Sequence, residues 1–281
     1  MNRTHTLYNK LLRFRRIILI ENTFSLLPGV GEKLERRLWQ KGVLTWDDFL
    51  ASRRLEGISD ERKQLYDQKL GLCKDALDAR DSVYLAHAIK RREHWRLFDL
   101  FRGEAVCLDI ETNGLQPSQG GYPTVVGLSD GHDAVTLVRG ENLTSETLNR
   151  HLEGYKLLIT FYGAGFDVPF LLMTMPGVHF DIPHFDLCFA AKRLDLHGGL
   201  KSLEAQFGFA RDASVQGLSG YDAVRLWQRA RYGDLTAREL LLAYNREDVA
   251  YLLPMADILY DKLKSSTGIM EHLVGAGHGN A

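Results

Sequence analysis

The sequence predicts an α/β protein: a mixed sheet flanked by helices over residues 102–265, preceded by a smaller all-helical domain over residues 1–101. Three observations predict it. From Glu104 onward, short apolar runs separated by glycine and proline alternate with helical stretches, the texture of an α/β domain. Before that point apolar residues recur at helical spacing through Leu34, Leu38, Phe49, Leu50, Leu65 and Leu70, with no strand alternation of any length. Charge divides at the same place. Residues 1–103 hold 21 Lys and Arg against 14 Asp and Glu, a net of +7, and the remainder holds 14 against 22, a net of −8.

The chain has 281 residues, 45% hydrophobic and 25% charged, enough for one large or two modest domains with a buried core. The apolar run Ile17 to Ile20, behind Arg13, Arg15 and Arg16, is too short for a membrane span or a signal-peptide core, so a soluble, cytoplasmic protein with no membrane partner is expected. Cys73, Cys107 and Cys188 form no C-x-x-C pair and read as reduced, packed thiols, not a zinc site. The charge split suits a basic part that attracts a polyanion and an acidic part that gathers carboxylates for metal ions; two ordinary solvated surfaces fit it equally.

In the first domain, Leu27-Pro28-Gly29-Val30-Gly31 runs into Glu32-Lys33-Leu34-Glu35-Arg36-Arg37-Leu38 and closes at Lys41-Gly42-Val43. This turn and helix, over residues near 24–50, resemble a helix-hairpin-helix element, in which backbone N–H groups at a helix start approach a phosphate. On that reading Gly29, Gly31 and Lys33 contact nucleic acid; a purely structural helical hairpin fits the same residues. Residues 82–101 predict a connecting helix whose Trp95, Phe98 and Phe101 dock on the neighbouring domain, with Lys90, Arg91, Arg92 and Arg96 beside them; the same mixture of basic and aromatic side chains also suits tracking a nucleic-acid strand. Strands are expected at Ala105 to Ile110, Val125 to Ser129, Ala134 to Val138 and Leu157 to Phe161. The first three make an antiparallel meander, and the fourth joins in parallel after a helix from Thr144 to Leu152. A long helix from Thr236 to Leu263 ends the domain, and residues 266–281 read as a flexible tail, frayed from Gly275 to Ala281.

Three acidic motifs carry the chemistry. Asp109-Ile110-Glu111 ends the first strand, where period-two alternation turns both carboxylates to one face. Phe161-Tyr162-Gly163-Ala164-Gly165-Phe166-Asp167-Val168-Pro169-Phe170-Leu171 leaves the fourth strand and opens a helix with Asp167, which brings a third acid to the same sheet edge; capping that helix is the plainer role for it. Tyr244-Asn245-Arg246-Glu247-Asp248 lies on a late helix, where the i, i+4 spacing stacks Tyr244 on Asp248.

In this order the motifs resemble the DEDD exonuclease superfamily in its tyrosine-bearing branch, and the F-x-G-x-x-F-D-x-P-x-L stretch is similar to the YprB-like group of RNase H-like exonucleases. The likeness covers residues 104–262. It implies an RNase H-like fold, with Asp109, Glu111, Asp167 and Asp248 as the four metal-binding acids and Tyr244 orienting the attacking water. It also implies a 3′ to 5′ exonuclease acting on single-stranded ends of DNA or RNA. Where many members carry asparagine before the third acid, this chain has Tyr162, Gly163 and Ala164.

Two divalent ions roughly 3.5 to 4 Å apart stabilise charge on the attacking and leaving oxygens of a phosphodiester. Mg²⁺ suits carboxylate donors, with Mn²⁺ as a substitute. Asp109 is expected to bridge the ions, Glu111 and Asp248 to hold the one on the nucleophile side, and Asp167 to serve the other. Asp186 reads as a helix cap; Lys201 or Ser202 could instead meet a phosphate. His179, His184 and His197 lack metal-ligand spacing and read as loop or surface histidines. One competing reading is a scaffolding protein whose N-terminal helical part recruits a partner; another is a non-catalytic nucleic-acid-binding protein that keeps the fold. Retention of four like charges speaks against it.

Overall fold

The computed structural model describes residues 18–275; Arg13, Arg15, Arg16, Ile17 and the predicted tail beyond Gly275 lie outside the described residues. The N-terminal region is helical, with α1 (Glu32–Gln40), α2 (Trp46–Ala51), α3 (Asp60–Asp78) and α4 (Ser82–Ala88). Side chains cap three of these helices: Thr45 and Asp48 form a reciprocal capping box on α2, Ser59 accepts from Arg62 N–H at α3, and Asp81 accepts from Tyr84 N–H at α4. Leu65, expected in the core by spacing, is 62% exposed, and its neighbour Tyr66 takes the inward position.

The predicted helix over 82–101 is broken. The chain turns extended at Ile89, runs as a 3-10 segment over Arg91–Leu97 and ends in α5 (Phe98–Phe101). The break lets His94 Nε2 meet the Ala86 carbonyl at 3.0 Å and sends Trp95, Phe98 and Phe101 inward. The docking expected of these aromatics is present: Phe98 lies 5.5 Å from Phe185 and 5.2 Å from Tyr260, ring to ring.

Five strands, β1 (Ala105–Thr112), β2 (Pro123–Ser129), β3 (Ala134–Val138), β4 (Leu157–Thr160) and β5 (His184–Asp186), form one sheet ordered β3-β2-β1-β4-β5. The first three are antiparallel neighbours, and β4 joins β1 in parallel, as the sequence predicts. β5 pairs in parallel with β4; its three residues are too few to display an alternation.

One face of β1 carries Val106, Leu108 and Ile110 into a core with α6 (Ser145–Leu152) and α7 (Asp167–Thr174). The opposite face carries Ala105 and Cys107 into a second cluster, which is shared by the N-terminal helices, α8 (Leu187–Arg193), α9 (Leu200–Phe207) and the C-terminal helices. After α10 (Gly220–Ala230), the predicted long helix appears as two, α11 (Leu235–Ala250) and α12 (Leu252–Ser266), divided at Tyr251. Pro254 explains the division, because it cannot donate to the preceding turn and its ring excludes a continuous helix there. Where a tail was expected from residue 266, α13 (Ile269–Gly275) follows. Ile269 is fully buried, and His272 packs 6.5 Å from Trp39 of α1, ring to ring.

The residues on either side of the predicted boundary at 101 thus share one apolar cluster. Ion pairs also cross it. Arg193 of α8 joins Glu93 at 2.9 Å and Glu32 at 3.0 Å, while within the N-terminal region Arg96 meets the same Glu93 at 2.9 Å and Glu35 at 3.3 Å. Cys73, Cys107 and Cys188 are buried free thiols. Among the described residues no helix is long and apolar enough to cross a membrane.

Candidate active site

β1 outlasts its parallel neighbour: β4 pairs only with Ala105, Val106 and Cys107. The strand end beyond them is the edge on which the acidic residues collect. Asp109 and Glu111 share the face opposite Ile110. Asp167 is the first residue of α7, and its Oδ1 accepts the Ile110 N–H at 3.0 Å. The capping role considered for Asp167 is not what the structure contains, since Phe166 is the N-cap and makes no side-chain cap bond. The carboxylate instead ties the helix start to β1.

α11 crosses the same face and delivers Tyr244, Asn245 and Asp248. Asn245 is fully buried and donates from Nδ2 to Asp109 Oδ2 at 3.0 Å. Gly127, opposite Asp109 in the β1–β2 register, makes this approach possible, because a Cβ there would lie 2.3 Å from Asn245 Oδ1. One turn along, Asp248 reaches the pair from β1. Oxygens of Asp109, Glu111 and Asp248 all lie within 4.8 Å of one another. Asp167 stands outside that group but lines the same cleft of about 510 Å³, as does Tyr244.

Two cations border the acids. Arg211 places Nη2 2.5 Å from Asp248 Oδ1 and grips the buried Glu204 through Nε at 2.6 Å and Nη2 at 2.8 Å. Lys201 donates to Tyr244 Oη at 3.0 Å and to the Leu218 carbonyl. Lys201, expected as a possible phosphate contact, is thus engaged by the tyrosine. Ser202 packs beside Gln206, which donates to its hydroxyl at 3.2 Å.

These surroundings set the protonation of the cluster. Burial pushes Asp109 and Glu111 well above the usual carboxylate range, and the charge of Asp248 adds to it in both. Burial raises Asp167 to about 7 against the opposing backbone hydrogen bonds. Asp248 is also raised by burial, with Arg211 pulling the other way. Burial and then the charge of Asp248 push the Tyr244 hydroxyl up, which favours its protonated form.

The loop between β4 and α7 is shaped by Asp186. It caps α8 through the Cys188 N–H at 3.0 Å and accepts the N–H groups of Tyr162 and Ala164, each at 2.9 Å. In this loop Tyr162 takes a left-handed φ of 66°. His184, expected as an ordinary loop or surface residue, is mostly enclosed. Its Nε2 lies 2.7 Å from Thr160 Oγ1, and burial lowers its pKa to about 3. His179 and His197 are exposed.

At the helix-hairpin-helix-like turn, Gly29 has φ 76° and Gly31 precedes α1 as its N-cap. Gly29, Gly31 and Lys33 are exposed, and none of them lines the acidic cleft. The Pro28 carbonyl is held by Tyr66 Oη and Arg62, both on α3. Sequence reasoning missed Asn245, Arg211, Glu204 and Gly127. Asn245 lies within the Y-N-R-E-D motif itself, whereas nothing in residue type or spacing marks Arg211, which reaches the site from a loop.

The RNase_H superfamily model RNase_H_2 matches residues 106–260. Among solved structures, one described as the apo form of the nuclease is 25% identical, with a TM-score of 0.44, over 62% of this chain and 79% of that one. Brucella melitensis NrnC is 21% identical, with a TM-score of 0.41, over 62% of this chain and 81% of that one. No curated protein matches. The family match spans the sheet from Val106 onward, the three grouped acids and α11, and on it the chain belongs to the RNase_H superfamily.

Proposed function

We propose that this protein is a metal-dependent nuclease, a 3′ to 5′ exonuclease that hydrolyses phosphodiester bonds at single-stranded DNA or RNA ends. One observation carries the reading: Asp109, Glu111 and Asp248 converge within 4.8 Å, in a cleft that also holds Tyr244 and Asp167. The donor set fits a hard divalent cation. All the donors are carboxylate oxygens, and their mutual repulsion in a buried setting is relieved by positive charge. Asp109, Glu111 and Asp248 would hold a first ion, with Asp109 and Asp167 serving a second. Bound there, two Mg²⁺ ions, or Mn²⁺ in their place, would supply charge to the attacking and leaving oxygens of the phosphodiester.

The chain's own groups do the rest. Asn245 fixes the Asp109 carboxylate, Arg211 fixes Asp248, and Asp167 locks α7 onto β1. The Tyr244 hydroxyl, held in place by Lys201, positions the attacking water without taking its proton. The polarity of digestion follows from the resemblance to the tyrosine-bearing DEDD exonucleases. The test is degradation of end-labelled single-stranded and duplex DNA and RNA with Mg²⁺, Mn²⁺ or EDTA, comparing the protein with Asp109→Ala. Stepwise, metal-dependent loss from the 3′ end that disappears in the variant is expected. Nucleic acid bound but left intact by the native chain would favour the binding-protein reading.

A further inference from the structure

A second cavity, of about 560 Å³, lies between the N-terminal region and α8. The loop that follows β4 separates it from the acidic cleft: Tyr162 and Phe166 line the cleft, and Ala164 lines the cavity. Two exposed rings bridge the divide. Tyr162 is 47% exposed and Phe189 49%, with centroids 6.1 Å apart. Lys192 Nζ sits 5.7 Å from one centroid and 5.3 Å from the other and has no ion pair among the described residues.

Arg91 and Arg92 also line the cavity. Arg91 has no ion pair among the described residues, and the Arg92 side chain is 73% exposed, 3.6 Å from Glu93. The carboxylates nearby are already engaged. Glu93 is shared by Arg96 and Arg193, Glu32 meets Arg193, and Asp186 accepts three backbone N–H groups. Three arginines and three carboxylates line the cavity, and the cations left without an ion pair among the described residues are Arg91 there and Lys192 beside the pair of rings open to solvent.

Exposed rings flanked by cations suit unpaired nucleotides, whose bases can stack while their phosphates meet the charge; a duplex keeps its bases stacked on each other. We propose that a single strand leaving the acidic cleft crosses Tyr162 and Phe189, with Lys192 against its backbone, and that Arg91 and Arg92 take a further phosphate in the second cavity. Identifying the cleft as the place of cutting rests on the nuclease reading, but the binding path does not.

The test measures binding with EDTA present, so that no strand is cut. Fluorescence anisotropy of the full chain is recorded with labelled DNA and RNA oligomers of about 4 and about 12 nucleotides, and with a duplex of about 12 base pairs. The native chain is expected to favour the longer strand over the shorter one and over the duplex. Phe189→Ala with Lys192→Ala should cut the long-to-short affinity ratio about tenfold or more. Arg91→Ala with Arg92→Ala should lower it too and reduce the slope of affinity against salt by about 0.7 for every phosphate no longer neutralised. A ratio unchanged in both double variants, or duplex bound as tightly as single strand, overturns the proposal. A chain that shows the length preference yet cuts nothing with Mg²⁺ keeps this path and sinks the nuclease reading. Cutting without any length preference does the reverse.

Discussion

Asp109→Asn is expected to make the metal-free protein more stable. Oxygens of Asp109, Glu111 and Asp248 lie within 4.8 Å of one another. Two full charges at that separation repel by about 3.5 kcal/mol at an effective dielectric constant of about 20. Protons relieve part of the strain, and holding one on a carboxylate of ordinary pKa about 3.9 costs about 4 kcal/mol near pH 7, which caps the penalty. Arg211 and Lys201 offset some of the remainder, leaving a gain of about 1 to 4 kcal/mol for the neutral side chain. The asparagine keeps the bond from Asn245, because its own Oδ1 accepts the same Nδ2–H. The folded-state pKa of Asp109 is raised, so its penalty is absent below the unfolded value and grows as pH climbs toward the folded one. Melting in EDTA should therefore show little difference at about pH 4, and a rise of about 2 to 4 °C per kcal/mol near neutral pH. Added Mg²⁺ should raise the melting temperature of the native chain and not that of the variant. Equal melting at neutral pH in EDTA, or equal stabilisation of both proteins by Mg²⁺, would refute the reasoning.

Tyr244→Phe preserves the buried ring and removes only the hydroxyl; single-turnover cleavage should slow about 10- to 100-fold with oligonucleotide affinity unchanged. Arg211→Ala leaves Glu204, 1% exposed, as an uncompensated buried charge. Urea unfolding should show a loss of about 3 to 5 kcal/mol, much of it restored by adding Glu204→Gln. Gly127→Ala drives a methyl group to 2.3 Å from Asn245 Oδ1; a loss of about 1 to 3 kcal/mol is expected, smaller when Asn245→Ser is introduced with it. Phe98→Ala removes the ring between Phe185 and Tyr260 and should cost about 3 to 5 kcal/mol in the same assay.

Much of the sheet was legible because strand periodicity is local. β1 to β4 could be read from alternation and punctuation, and with them the side of β1 that carries Asp109 and Glu111. The breaks in the helices were harder to see. The division at Tyr251 depends on a proline in the first turn of α12, and the break at Ile89 on a carbonyl bond to His94. Long-range partners were harder still. Arg211 reaches Asp248 from a loop, and Gly127 matters only because α11 packs on it. Such pairs leave no mark at fixed spacing. The cluster that joins the N-terminal helices to the sheet is of the same kind, since composition changes sharply at residue 103 while burial runs straight through it.

The acids differ in what holds them, and the difference has a physical consequence. Asp167 answers a backbone N–H that β4 leaves without a strand partner, so moving it would orphan Ile110. Asp109 is fixed by an asparagine that is itself fully buried, and Asp248 by an arginine already committed to Glu204. Glu111 is 7% exposed and has no hydrogen bond among the described residues; Lys201 and Arg211 act on it only through space. Burial without a partner is costly for a carboxylate, so Glu111 gains most from a cation brought to the cluster, while its neighbours already sit where that cation would need them.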